Sequence, residues 1–107
     1  MSTSFADHLA TLPAVDQIAG IELTGSDGVQ GVIENKPGSQ GSLRVYLHLL
    51  AQFGAIDVAA ASEGLRLYAE HTQDARLNPG KHPNIDRLLL VESGMAGFSA
   101  RLLLSAA

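Results

Sequence analysis

Residues 20 to 34 limit the fold more than any other stretch of this chain. Ile21 and Leu23 alternate with Glu22 and Thr24, Gly25-Ser26-Asp27-Gly28 supplies a turn, and Val29 to Glu34 runs back. Asp-Gly between two period-two runs is a strong hairpin signal, and Gly31 is placed for a bulge in the return strand. Two strands alone are marginal in water. The rest of the chain must therefore lengthen the sheet and cover one of its faces. Phe98 to Leu104 alternates in the same way, which predicts a third strand with the hairpin as its partner.

The cover is helical. Ser4, with Asp7 three residues on, predicts a capped first helix carrying Phe5, Leu9 and Leu12 on one face, ended by Pro13 or followed by a short turn through Val15 and Ile18. A second helix is predicted from Leu43 to Phe53 and stops at Gly54; Arg44, His48 and Gln52 form its polar stripe. Asp57 caps a long helix predicted over residues 58 to 77, about 30 Å at 1.5 Å per residue. Val58, Ala61, Leu65, Tyr68 and Thr72 make its apolar face, and Pro79 forces the stop at Asn78. Leu47, Leu50, Leu65 and Tyr68 are predicted core. Residues 85 to 92 read slightly better as a helix capped by Asn84 than as a strand, because short apolar runs do not separate the two. The fold class is α+β: a small antiparallel sheet, the hairpin at about 20–34 plus the C-terminal strand at about 98–104, packed against two to four helices.

Composition narrows the function. Sixteen leucines and fifteen alanines dominate the apolar residues, in keeping with a helical bias. At 107 residues the chain buries roughly two thirds of its unfolded surface, enough for one core, so residues 1–107 are read as a single domain. Seven basic residues against eleven acidic ones give a net charge of −4. Nucleic-acid binders carry a basic face to neutralise phosphates, and membrane anchors of the polybasic kind carry a basic run. Neither nucleic acid nor membrane is an expected partner. Apolar runs such as Leu88 to Val91 are far short of a span, and the first twelve residues lack the basic region of a signal peptide. Cysteine is absent, which excludes disulfides and thiolate chemistry and makes the cytoplasm the expected location.

Leu-Tyr-Ala-Glu-His-Thr from Leu67, and Pro-Gly-Lys-His-Pro-Asn-Ile-Asp-Arg-Leu-Leu from Pro79, resemble an uncharacterised bacterial family catalogued as domain of unknown function 2322. Asn35-Lys36-Pro37-Gly38 and Gly54-Ala55-Ile56-Asp57 are similar to it as well. The resemblance runs roughly from Phe5 to Val91. It implies a bacterial cytosolic protein of similar length and brings no activity, cofactor or catalytic residue.

Two turn-rich loops, 35 to 42 and 78 to 84, hold the only two lysines, each beside a Pro-Gly pair and each leading toward a helix start. Backbone amides at such starts attract anions, and lysine adds charge. The candidate anion-binding residues are Lys36, Gly38, Ser39, Ser42 and Arg44 in the first loop and Lys81, His82, Asn84 and Arg87 in the second. Against this, Pro and Gly are what any turn uses. No phosphate-loop motif is present, and Gly38-Ser39-Gln40-Gly41 has the wrong spacing for a serine nucleophile. Glu70 with His71, or His82 with Asp86, does not make a metal pattern: adjacent helical side chains point about 100° apart, and His82 precedes its helix. No catalytic residue, metal or cofactor is therefore expected. The sequence favours a small non-catalytic interaction or binding protein that self-associates through a sheet edge or its helices, with an unidentified protein as its other partner. The alternative is a small enzyme or ligand-binding protein for an anionic metabolite, held by the two Pro-Gly-Lys loops.

Overall fold

A computed structural model describes residues 4–12, 17–26 and 28–104. The predicted turn at Pro13 and Val15, and Asp27 of the hairpin turn, lie outside the described residues. The order is α1 (Phe5–Leu9), β1 (Ile18–Gly25), β2 (Gly28–Glu34), α2 (Gln40–Phe53), α3 (Val58–Tyr68), α4 (Glu70–Leu77), α5 (Pro83–Glu92) and β3 (Ser99–Leu104). The α+β class holds, and no helix among the described residues is long and apolar enough to cross a membrane.

The sheet is antiparallel with order β2-β1-β3, so the hairpin strand β1 lies in the middle. Gly25 faces Gly28 across the turn, Thr24 faces Val29 and Leu23 faces Gly31, leaving Gln30 as the extra residue of a bulge beside Gly31. Because directly opposed residues share a face, Ile21 sets Ile33 and Leu102 on the inner side. Ile21, Leu23 and Ile33 are buried there with Leu43, Val45, Tyr46 and Leu49 of α2, Ala60, Ala61, Leu65, Leu67 and Tyr68 of α3, and Ile85, Leu88 and Val91 of α5. Strand β3 is less well covered: Leu102 is about half exposed and Leu104 more so.

Local chemistry sets the helix ends. Ser4 Oγ accepts from the Asp7 amide and Asp7 accepts from the Ser4 amide, a reciprocal capping box. Asp57 accepts from the Ala60 amide at 2.8 Å, and α4 stops at Leu77, two residues before Pro79. Helix α2 begins three residues earlier than predicted, at Gln40, because the Leu43 amide bonds to the Ser39 carbonyl and draws Gly41 and Ser42 into the first turn. Helix α5 starts at Pro83 after His82, not after Asn84: proline suits the first helical position, where its missing N–H costs nothing.

The single helix predicted for 58 to 77 is two helices. Ala69 has φ 51° and ψ −117°, the only positive φ at a described residue other than glycine. Its amide tightens onto the Arg66 carbonyl at 3.2 Å. The Leu65 carbonyl, which a continuing helix would pair with that amide, accepts from the buried Thr72 hydroxyl at 2.7 Å instead. The Leu67 carbonyl likewise finds a partner outside the helix, His8 Nδ1 at 2.8 Å, so the break is bridged by groups from α1 and α4.

Two core assignments also change. Leu47 and Leu50 are only partly buried, while Val45, Tyr46 and Leu49 are fully enclosed. The first turns of α2 tilt the buried stripe by about one residue. Val58, at the first position of α3, is half exposed, and the buried face of the helix begins at Ala60 and Ala61. Gly64 is required by packing, since a Cβ there would lie 2.7 Å from Leu88 Cδ1 and 2.9 Å from Leu49 Cδ1. Leu49→Ala should therefore cost about 2–5 kcal/mol and Leu50→Ala less than about 2 kcal/mol, because only the former empties a closed cavity. Urea unfolding of both variants checks the order; equal losses would contradict it.

Candidate functional site

The two turn-rich loops are built alike. In each, proline is followed by a glycine with positive φ, 93° at Gly38 and 92° at Gly80. In each, the residue after that glycine donates back to the residue before the proline: Ser39 to the Lys36 carbonyl and Lys81 to the Asn78 carbonyl, both at 3.1 Å. That is the type II pattern, and it requires glycine at the third position. Lysine stands at the first position of one turn and the fourth of the other, so the twin turns send their lysines in different directions.

Both loops line one open cleft of about 520 Å³. Pro37, Gly38, Gln40, Gly41 and Ser42 form one side, Lys81, His82, Pro83, Asn84 and Ile85 another, and Phe5, Leu9, Tyr68 and His71 the wall between them. Of the nine candidate residues, Gly38, Ser42, Lys81, His82 and Asn84 meet there. The other four do not line it. Lys36 leans back to Glu34 at 3.5 Å, and Ser39 donates to the Glu34 carbonyl. Arg44 donates to the Leu9 and Leu12 carbonyls at 2.6 and 2.8 Å, tying the end of α1 to α2. Arg87 donates to Asn84 Oδ1 at 2.9 Å and Tyr46 Oη at 3.2 Å, and its guanidinium lies 5.9 Å from the centre of the Phe98 ring. Tyr46 Oη itself donates to the Asn84 carbonyl at 2.6 Å. Its burial pushes its pKa up to about 12, so it is a neutral donor at physiological pH.

Asp74 organises the polar rim. One carboxylate oxygen accepts from His82 Nε2 at 2.6 Å and from Lys81 Nζ at 3.0 Å. The His82 bond, followed by the Lys81 bond, holds the Asp74 carboxyl down at about 2. An ionised carboxylate can only accept, so Nε2 carries the proton; in the neutral ring Nδ1 is then an acceptor. Asp86, on α5, accepts from the Gly80 amide at 2.9 Å and steadies the turn. Tyr68 donates to Ser42 Oγ at 2.7 Å, and burial raises its pKa far above the usual phenol range. The Gly41 and Ser42 amides, in the first turn of α2, have no acceptor among the described residues. No group of three metal-ligating side chains occurs among the described residues.

A family model described as an uncharacterized protein conserved in bacteria, DUF2322, matches residues 5–102. The chain belongs to this family. No curated protein and no solved structure matches it. The DUF2322 match takes in every element from α1 to most of β3, and thus the whole wall of the cleft.

Sequence reasoning about this DUF2322 protein missed Asp74, His71, Phe5 and Tyr68 as parts of one site. Asp74 lies in the stretch predicted as one continuous helix, and the turn at Asn78–Lys81 folds the chain back so that His82, eight residues on, meets it. The Asp74 carboxyl titrates near 3.8 when unfolded and near 2 when folded, so the unfolded chain binds more protons between those values. Its contribution is complete above pH 3.8 and drains away as the pH falls toward 2. The stability gap between wild type and Asp74→Asn should therefore be widest near neutrality and close over that range. Circular-dichroism unfolding at a series of pH values measures it, and a gap constant down to pH 2 would contradict the assignment.

Proposed function

We propose that this DUF2322 protein binds a small anionic metabolite in the cleft between its two Pro-Gly loops. The observation that carries the reading is that the loops, about forty residues apart in sequence, line the same cleft. A volume of about 520 Å³ falls inside the ~300–1,000 Å³ of typical small-molecule sites. Lys81 and the open amides of Gly41 and Ser42 supply donors, while Phe5, Leu9, Ile85 and the His82 ring supply wall. Asp74 offsets much of the local positive charge, which favours a ligand of one or two negative charges over a polyanion.

The other reading is a non-catalytic module that self-associates. Its support is the open edge of β3 with Leu102 and Leu104 exposed. The cleft has the stronger claim because it gathers donors and apolar groups from five helices, whereas the edge offers one strand.

Titrating inorganic phosphate into isotope-labelled protein tests the reading, with sedimentation run on the same samples. Saturable shifts are expected in the amides of Gly38 to Ser42 and of Gly80 to Asn84 together. Lys81→Met should weaken binding by about threefold to tenfold, and added salt should weaken it in the wild type, as for any exposed charge. Shifts confined to one loop, or none that saturate, would overturn the reading. A concentration-dependent dimer with no saturable shifts would favour self-association.

A further inference from the structure

Four rings stand in a row along the wall of the cleft. The Tyr68 and Phe5 rings stack at 5.2 Å with 20° between their planes. His71 meets Phe5 edge-on at 5.0 Å and 81°, and His82 follows His71 at 5.9 Å and 45°. Tyr68 is buried, whereas Phe5, His71 and His82 are each partly exposed, so the row climbs from the core to the mouth of the cleft. The whole chain has only five Phe and Tyr residues and four histidines, and four of these nine rings line this wall.

The exposure of this wall is unusual for a structural cluster. Helix α1, which brings Phe5 and Leu9 to the cleft, has no buried residue. It is nevertheless held firmly. Glu70 accepts from the Phe5 amide at 2.7 Å, and His8 Nδ1 donates to the Leu67 carbonyl at 2.8 Å. Arg44 caps its other end. Three separate polar anchors thus fix a five-residue helix whose apolar side faces an open cavity. An inorganic anion at Lys81 fills only a small part of that cavity and leaves the rings wet.

We propose that the ligand of the cleft joins a planar ring to its anionic group: an aryl or heteroaryl phosphate or carboxylate. The ring lies along Phe5, His71 and His82, and the anion reaches Lys81 and the amides of Gly41 and Ser42. Offset and edge-to-face contacts suit the tilts already present in the row. This rests on the cleft binding an anion at all, and the two ideas fail separately.

The test compares five probes by titration calorimetry and amide shifts: phosphate, phenyl phosphate, phenol, acetate and benzoate. Phenyl phosphate should bind about tenfold more tightly than phosphate, or benzoate than acetate, the gain of one good aromatic contact. The pair with the larger gain identifies the anionic group. His71→Ala and Phe5→Ala should each erase most of the ring's gain and leave the affinity for the bare anion within about twofold; His71→Ala, on α4 rather than α1, guards against a Phe5 variant that loosens α1. Saturable phosphate binding with no gain from either ring would overturn the inference and leave the anion site standing. Binding of phenol as tight as that of phenyl phosphate would overturn both.

Discussion

Leu65, Leu67 and Tyr68 are all drawn inward, and the helix that carries them turns sharply at Ala69 rather than running on. A non-glycine residue at positive φ is strained, by about 1–3 kcal/mol. The chain tolerates it because the surroundings satisfy what the break exposes. Thr72 takes the Leu65 carbonyl, His8 takes that of Leu67, and Glu70, now the first residue of α4, takes the Phe5 amide. Continued straight, the eight residues of α4 would run about 12 Å further along the α3 axis. The turn instead packs α4 beside α5 and the start of α1.

The wall of rings at the cleft depends on that turn. His71 reaches Phe5 on one side and His82 on the other; Asp74 reaches His82 and Lys81. The twin Pro-Gly turns then frame the opening, one ahead of α2 and one ahead of α5. Arg44 and Arg87, the first arginines after these turns in sequence, are spent on holding the frame: Arg44 joins α2 to α1, and Arg87 joins α5 to α2 and lies beside Phe98. What remains for a ligand is one lysine, two histidines, a few amides and a wall of rings.

The sheet was legible from sequence because its signals are local. A turn cluster between alternating runs specifies both partner and register, and the strand at 99 to 104 had only that hairpin to join. Caps at Ser4 and Asp57 and stops at Gly54 and Pro79 were legible for the same reason. The break at Ala69 was not: alanine is the best helix former, and the 3.6-residue pattern of Leu65, Tyr68 and Thr72 passes across it without interruption. Its cause is tertiary, a set of carbonyl and amide partners on α1 and α4. With the break hidden, His71 had no reason to be grouped with Phe5. The meeting of the two loops was not decided by their shared Pro-Gly composition, which fits plain connectors equally well. Nor was the divergence of their lysines legible, because it depends on each lysine's place in its turn.

Replacing Ala69 tests most directly whether this turn organises the molecule. In an unbroken helix Ala69→Gly would cost about 1 kcal/mol. At a strained positive φ the same change relieves the backbone and should raise stability by up to about 1 kcal/mol, while Ala69→Val should lower it by about 1–3 kcal/mol. Equilibrium urea unfolding of the wild type and the two variants decides by sign. A higher midpoint for glycine and a lower one for valine is the predicted result. A glycine variant less stable than the wild type would contradict the account.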